Sequence, residues 1–409
     1  MSLNETPSAN RLHIGIFGNR NAGKSSLLNA ITGQELAVVS EVKGTTTDPV
    51  SKAMELLPLG PVVLIDTPGL DDEGELGQKR MEKSFEVLRK IDFAIVVLDG
   101  QDARLSNAQK ELLEILKDKK LPFVIAINKL DAMSKAQEKM IEKTDWAKIY
   151  PYVFVSSLTK EGVDKLKNYI AHGIQETGQR DLIKDLLEPK DVVVLVTPID
   201  AAAPKGRMIL PQQQTIRDIL DGNAICMVTK ETTLPETLES LKNPPKMVVT
   251  DSQAFKVVNE MTPKDIPLTS FSILFARLKG DLEQQVRGAA AISMLKDGAK
   301  VLISEGCTHH RQCGDIGTEK LPKLLKKFTG KELELSFTSG TGFEKDLTKY
   351  DLVIHCGGCM LNEKEMKYRL AEAKRQNVPM TNYGVAIAYM NGILKRSLSL
   401  FPEKELLND

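Results

Sequence analysis

The chain reads as α/β, with three units of parallel sheet and helix in series, and three observations predict this. Apolar runs of strand length alternate with helix-period stretches over most of the sequence. A glycine-rich loop lies between the first predicted strand and the first predicted helix, and two late apolar strands run directly into short cysteine clusters. At 409 residues the chain is long enough for two or three domains with cores of their own.

The first unit is expected over residues 8–175. Its strands are His13–Phe17, Pro61–Asp66, Phe93–Leu98, Phe123–Ile127 and Val153–Val155, five parallel strands with helices between them. From Ile174 to Lys190 the sequence turns polar, with Gly178 and Pro189 as breakers, which marks a boundary. A smaller α/β unit is expected over residues 188–262, with strands near Val192–Val196, Ala224–Val228 and Met247–Thr250 and helices near Gln212–Leu220, Pro235–Leu241 and Ser252–Glu260. The stretch Met261–Pro267 reads as a second linker, and a third α/β unit is expected over 268–409. There Val301–Ile303 leads into Cys307, and Leu352–Ile354 leads into His355 and Cys356. Ligands of open parallel sheets bind beyond the carboxyl ends of strands, so both cysteine clusters stand where a ligand site belongs.

Charge and composition narrow the function. Lys plus Arg and Asp plus Glu balance at 55 each, which argues against a nucleic-acid partner or an anionic membrane surface. The polar start, Met1 to Thr6, has no basic segment before an apolar one, and no apolar run reaches membrane-span length. A cytoplasmic protein is expected. Five cysteines, four of them beyond residue 300, are too few and too uneven for a disulfide framework; a reducing compartment and metal chemistry fit better.

The loop Gly18-Asn19-Arg20-Asn21-Ala22-Gly23-Lys24-Ser25 satisfies the phosphate-loop pattern in the strand–loop–helix context that the pattern requires. Glycines let backbone N–H groups approach phosphates, Lys24 neutralises the terminal pair, and Ser25, followed by Ser26, reaches Mg²⁺. Asp66-Thr67-Pro68-Gly69, at the end of the next apolar strand, supplies an acidic partner for the metal and a glycine N–H for the γ-phosphate. Gly44-Thr45-Thr46-Thr47 offers a hydroxyl to the same metal. The base is chosen by Asn128-Lys129-Leu130-Asp131, because an aspartate can accept both the N1 and N2 hydrogens of guanine, and Ser156-Ser157 can close over it. GTP and Mg²⁺ are thus the expected ligands of the first unit, with Lys24, Asn21, Thr46 and Gly69 as its catalytic set.

Taken together, the five segments resemble the small GTPases of the Era/TrmE-like branch, which includes tRNA-modification and ribosome-assembly GTPases. Leu70 stands where Ras-like proteins carry the glutamine that orients water, so that part must come from elsewhere. Asn21 occupies the position at which this branch binds K⁺, and the resemblance implies slow hydrolysis stimulated by K⁺. Glu73 and Glu75 are candidates to position water, or solvated carboxylates of a switch loop.

Cys307-Thr-His309 and, forty-odd residues on, His355-Cys356-Gly-Gly-Cys359 converge on three thiolates. Iron–sulfur clusters usually take four cysteines, so three leave one iron to an exchangeable ligand. Thiolates also suit Zn²⁺, and a closed Cys₃His site that staples the domain is equally open on ligand chemistry alone. Glu305 is close enough in sequence to be an oxygen ligand, or is a solvated carboxylate. Cys313 reads as a free thiol, Cys226 as core packing, and His310 as a neighbour with no fixed task.

A GTPase joined to Cys-x-His and His-Cys-x-x-Cys resembles the maturation GTPases of FeFe-hydrogenases, the HydF family, over all three units. Thr197-Pro198-Ile199-Asp200, Ala203-Pro204-Lys205-Gly206-Arg207 and Leu210-Pro211-Gln212 share in the likeness. The resemblance implies a 4Fe–4S cluster on Cys307, Cys356 and Cys359, with His309 and His355 as ligands or hydrogen-bond partners. It also implies a scaffold that receives a di-iron precursor from two radical-SAM maturases and passes it to apo FeFe-hydrogenase, and a homodimer formed through the middle unit. A ribosome-assembly GTPase with a zinc domain and an electron-transfer protein are the competing classes. Balanced charge weighs against the first, and the lack of a fourth motif cysteine against the second.

Overall fold

The computed structural model describes residues 11–33, 49–57, 59–70, 83–175, 181–198, 208–306, 315–340, 342–358 and 361–407. The chain divides into two compact units, Met1–Gln179 and Arg180–Asp409.

The first unit is built on a six-stranded sheet: β1 (Leu12–Gly18), β2 (Val50–Leu56), β3 (Gly60–Asp66), β4 (Phe93–Asp99), β5 (Phe123–Asn128) and β6 (Tyr152–Phe154), in the order β2-β3-β1-β4-β5-β6. Five of these strands are parallel, as the apolar runs predict. The sixth, β2, lies antiparallel to β3 at the edge, pairing Val50 with Asp66 and Leu56 with Gly60. Its sequence, Val-Ser-Lys-Ala-Met-Glu-Leu, is largely exposed on alternate residues and so presents no continuous apolar run to read. Helices Lys24–Thr32 and Val163–Gln175 cover one face with Leu27, Leu28, Leu166 and Ile170. Helix Asn107–Asp118 covers the other with Leu112, Leu113 and Leu116. Strand β1 has later strands on both sides, so the chain turns in opposite directions around its carboxyl end and opens a crevice there.

The second unit holds two parallel four-stranded sheets. One is ordered β10-β9-β7-β8, from β7 (Val192–Val196), β8 (Ile225–Thr229), β9 (Met247–Thr250) and β10 (Leu268–Ser270). The other is ordered β12-β11-β13-β14, from β11 (Lys300–Ser304), β12 (Glu334–Thr338), β13 (Leu352–His355) and β14 (Met380–Asn382).

These sheets do not follow the expected limits of 188–262 and 268–409. Leu182 and Ile183 are buried with β7, and Leu268–Ser270 is an edge strand of the first of these sheets, not the start of the next unit. A three-residue strand is too short to show a period, so its place in the preceding sheet has no sign in the sequence. The same apolar core continues through Phe271, Leu274 and Phe275 to Val385, Ala388, Leu394, Leu398 and Phe401 near the C-terminus. The two sheets are therefore tied into one compact body by chain segments far apart in sequence.

Candidate functional site

The phosphate loop leaves the carboxyl end of β1 and enters helix Lys24–Thr32 at once. Asn21 takes a left-handed conformation with φ 58°, and its side chain is exposed. Gly23 has φ 90°, and a Cβ there would lie 2.2 Å from the Asn128 amide nitrogen, so only glycine fits. Lys24, 9% exposed, folds its ammonium back onto the carbonyls of Gly18 and Asn19 at 3.0 and 2.9 Å. That conformation places a buried cation inside the cradle made by its own loop.

Beside it, Ser25 Oγ donates to Asp66 Oδ2 at 2.6 Å. The second oxygen, Asp66 Oδ1, is buried with no hydrogen-bond partner. Burial raises the carboxyl above its usual range, against the opposing effects of the Ser25 bond and the Lys24 charge. An orphaned buried carboxylate oxygen next to a serine hydroxyl is a donor set that suits a hard divalent cation. The chain then turns back onto the loop: Leu70 N donates to Gly18 O at 3.3 Å, which brings the Gly69 segment against the cradle. Leu70 itself is 2% exposed and packs in the core, so it has no polar part to play.

The base-recognition loop is knitted to the phosphate loop by one residue. Asn128, 1% exposed, donates from Nδ2 to Ala22 O at 3.0 Å and accepts at Oδ1 from Ser157 N and Ser157 Oγ at 3.0 and 2.8 Å. Lys129, with φ 64°, pairs its ammonium with Asp99 at 2.5 Å. Asp131 is exposed, and its Oδ1 accepts from the buried Ser156 Oγ at 2.5 Å. Two supporting residues escaped the sequence reading. Asp99 closes β4 and orients Lys129, and Ser106 caps the next helix while donating to Asn19 Oδ1 at 3.3 Å. For Ser106 the capping box Ser106–Gln109 was a readable sign of position, though not of the contact with Asn19. Ser26 is half-buried in the first turn of the helix.

In the second unit, β11 and β13 are adjacent at the centre of their sheet, with Ser304 opposite His355. Cys356 follows β13 directly; its N–H donates to Ser304 O at 2.8 Å and its Sγ accepts from Gly306 N at 3.1 Å. Glu305 directly follows β11, and the buried Tyr383 hydroxyl donates to its carboxylate at 3.3 Å. Burial, beside Glu305 and Cys356, pushes the Tyr383 phenol well above its ordinary range.

His355 was expected as a ligand or as a hydrogen-bond partner, and here it is a hydrogen-bonded side chain. Its ring is fully buried, and Arg369 Nη1 lies 2.8 Å from Nε2. A guanidinium can only donate, so Nε2 accepts, and Nδ1 carries the proton that it donates to Cys356 O at 2.7 Å. Both ring nitrogens are thereby engaged.

Thr45, Thr46, Glu73, Glu75, Cys307, His309, His310, Cys313 and Cys359 lie outside the described residues. Among the described residues no group of three His, Cys, Asp or Glu side chains converges as a metal site, and two of the three expected sulfurs are not among them. Cys226 is half-buried on β8 against the core, where burial pushes its thiol up to about 11. No helix among the described residues is long and apolar enough to cross a membrane.

Residues 182–280 match the model of the hydrogen maturase F dimerization domain, and residues 283–400 that of the hydrogen maturase F tetramerization domain. Between them they cover more than half of the chain. The chain belongs to the hydrogen maturase F family. Residues 13–129 match a 50S ribosome-binding GTPase model, so this maturase carries a GTPase domain ahead of its two family-specific regions. GTPase Der of Mycoplasmopsis pulmonis is 32% identical over 42% of this chain and 43% of its own length. The tRNA modification GTPase MnmE of a Thermoanaerobacter species is 38% identical over 39% of this chain and 34% of its own. The chain thus spans less than half the length of these curated relatives. Among solved structures, Era of Aquifex aeolicus bound to GDP and aluminium fluoride is 18% identical, with a TM-score of 0.36, over 56% of this chain and 97% of that one; a likeness that low carries no argument.

Proposed function

We propose that this maturase is a GTP-hydrolysing scaffold that binds a 4Fe–4S cluster and delivers a di-iron precursor to apo FeFe-hydrogenase. The observation that carries the reading is the pairing of two built strand-end sites in one chain. One is a phosphate cradle locked to a guanine-selecting loop; the other is Cys356, backed by an N–H···S bond at the adjacent ends of β11 and β13.

In the first unit, Gly18, Asn19, Ala22, Gly23 and Lys24 hold the phosphates, and Asp131 accepts the guanine N1 and N2 hydrogens. Lys24 exchanges the Gly18 and Asn19 carbonyls for phosphate oxygens, so the cation is held in place before substrate arrives. Ser25 and Asp66 fit Mg²⁺, to which Thr45 or Thr46 would offer a hydroxyl; the ion would supply charge neutralisation at the phosphates. Asn21, exposed on a left-handed backbone, fits K⁺, and hydrolysis is slow and faster in K⁺ than in Na⁺. Equal rates in the two salts would remove K⁺ from the account.

In the second unit, Cys307, Cys356 and Cys359 hold the cluster, which supplies an iron site able to take an exchangeable ligand. Glu305 and His309 are the candidates for that position, and His355 supports the site through Cys356 O. Two radical-SAM maturases supply the precursor. Anaerobic reconstitution with iron and sulfide analysis and electron paramagnetic resonance (EPR), followed by activation of purified apo-hydrogenase, tests the reading. A protein that loads zinc and no iron, or loads iron and activates nothing, overturns it.

A homodimer forms through the middle sheet. Strand β8 is an open parallel edge, and its Ile225 and Val228 are 49% and 48% exposed, an apolar template for pairing. Val228→Lys should convert dimer to monomer in sedimentation; an unchanged mass would move the interface elsewhere.

A further inference from the structure

Two helices and two strands of the first unit line a cavity that the nucleotide reading does not use. It lies at the amino ends of β4 and β5, the end of the sheet opposite the phosphate loop, and its volume is about 710 Å³. Small-molecule sites run from roughly 300 to 1,000 Å³. Phe93 and Phe123, the first residues of the two strands, line it together with Tyr169 of helix Val163–Gln175, whose ring meets Phe93 edge-on at 6.5 Å between centroids.

The charged groups that line it are cationic. Lys117 and Lys120, at the end of helix Asn107–Asp118 and just past it, are exposed there with His172, and among the described residues no Asp or Glu shares the lining. Lys117 divides its charge between Glu114, 3.9 Å away, and the Tyr150 ring at 5.8 Å. Lys120 has no ion-pair partner among the described residues. His172 Nδ1 donates to Asn168 O at 2.7 Å, since a carbonyl only accepts, and Nε2 is the nitrogen left to a ligand. Aromatic rings beside an uncompensated positive charge suit a small organic anion with a flat apolar body.

Three of the elements that line the cavity run on to the nucleotide site. Helix Asn107–Asp118 starts from Ser106, which donates to Asn19 Oδ1 of the phosphate loop at 3.3 Å. Strand β4 ends at Asp99, the partner of Lys129. Strand β5 ends at Asn128, which donates to Ala22 O of the phosphate loop. A ligand that shifts these elements against one another therefore reaches both the phosphate and the guanine contacts.

We propose that this cavity is a second ligand site of the GTPase unit, which takes a small aromatic anion and whose occupancy is coupled to that of the nucleotide site. Such coupling is reciprocal: each ligand changes the affinity of the other by the same factor. The coupling rests on the nucleotide reading above; the cavity and its charge do not.

The test uses the full-length chain and anilinonaphthalene sulfonate, a flat apolar body with one anionic head, against phenylnaphthylamine, the same body without the sulfonate. In fluorescence titrations the sulfonate binds the wild type saturably, and Lys120→Glu weakens it by about tenfold or more through loss of a charge-assisted contact. The neutral amine binds both proteins alike. The same loss is expected in His172→Glu, on a different helix, which decides should Lys120→Glu fail to fold. With the cavity saturated, GDP affinity measured by calorimetry changes by about fivefold or more. Sulfonate binding that is equal in wild type and the variants, or no tighter than that of the amine, overturns the site. Loss of the probe site as the chain concentration rises gives this surface to a second copy of the chain and overturns it too. Probe binding that leaves GDP affinity unchanged overturns the coupling, whereas a chain that binds no GDP sinks the nucleotide reading and leaves the probe titration standing.

Discussion

The nucleotide site and the cysteine site occupy the same place in two different sheets, beyond the carboxyl ends of adjacent central parallel strands, yet they are held together by different means. Around the phosphate loop, most of the support comes from short polar side chains that belong to the recognition motifs themselves, with Asp99 and Ser106 added from outside them. Asn128 bonds both the phosphate loop and Ser157, Ser25 bonds Asp66, and Ser156 bonds Asp131. Around Cys356, support comes from outside the motif, from Lys279, Arg369 and Tyr383, which lie on three separate helices. A site for a nucleotide, whose phosphates and base lie far apart, needs its reading segments rigidly joined to one another. A site for a compact anionic centre needs charge and a fixed turn, and any helix that packs beneath it can supply them.

The sharpest way to break this comparison is to remove the sulfur. Cys356→Ala should abolish iron retention after reconstitution and hydrogenase activation with it, while GTP affinity stays at the wild-type value. Iron bound per chain is the measurement, and retention at the wild-type level would mean that Cys356 ligates nothing.

Next in size is Asp131→Asn. Its carboxylate offers two charge-assisted acceptors to guanine, each contributing about 1.5–3 kcal/mol, so GTP affinity should fall by roughly 100-fold or more. The amide presents a donor in place of one acceptor, which suits xanthine, so xanthosine triphosphate should gain on GTP in a competition assay. Equal loss for both nucleotides would indicate damage to the loop and not a change of recognition.

Asn128→Ala tests the claim that the motifs hold one another. It leaves the Ser157 and Ala22 bonds unmade in a buried setting, with an expected loss of about 2–3 kcal/mol in chemical denaturation of the first unit. The matching substitution in the second unit, Lys279→Arg, should change stability far less, because there the charge matters more than one geometry. Similar losses for both would dissolve the distinction.

This difference also explains what was legible in the sequence. Asn128, Lys129 and Asp131 lie within four residues, and Gly18 to Ser25 within eight, so chemistry and spacing could be read together. The central parallel strands β1, β4, β7, β11 and β13 were legible because both their faces are buried and their runs are continuously apolar, which the edge strands β12 and β14 are too exposed or too short to show. Strand β2 was not, since alternate residues are exposed, and β10 was not, since three residues carry no period. Cys356 announced itself by its motif, but Arg369 in Glu363–Arg375 looks like one more charge on a polar helix. Only packing shows that it is fully buried and aimed at His355. The two readings of His355, ligand or hydrogen-bond partner, stayed open for the same reason: Arg369, which bonds its Nε2, is fourteen positions away.

The smallest effect concerns pH, and it falls on the first unit through His13 and Asp66. His13, on β1, is 7% exposed, with Nδ1 bonded to Arg11 O at 2.8 Å; burial depresses its imidazole to about 4 from an ordinary value of 6.5. A depressed folded-state value means the unfolded chain binds the proton first. Stability from the neutral ring is therefore complete above about pH 6.5 and declines as the pH falls toward 4. At pH 5.5 the first unit should have lost about 1–1.5 kcal/mol relative to pH 7.5 from this group. Asp66 works in the opposite sense, because a carboxyl raised by burial favours the metal-free unit at low pH and opposes it as the pH rises through its folded-state value. Binding of Mg²⁺ requires the ionised form, so Mg²⁺ affinity should weaken as the pH falls through that same value. Melting of the first unit with and without Mg²⁺, for wild type and His13→Gln, distinguishes the two groups. Removing His13 should flatten the acid loss in both conditions, while leaving the gain in stability from Mg²⁺ dependent on pH.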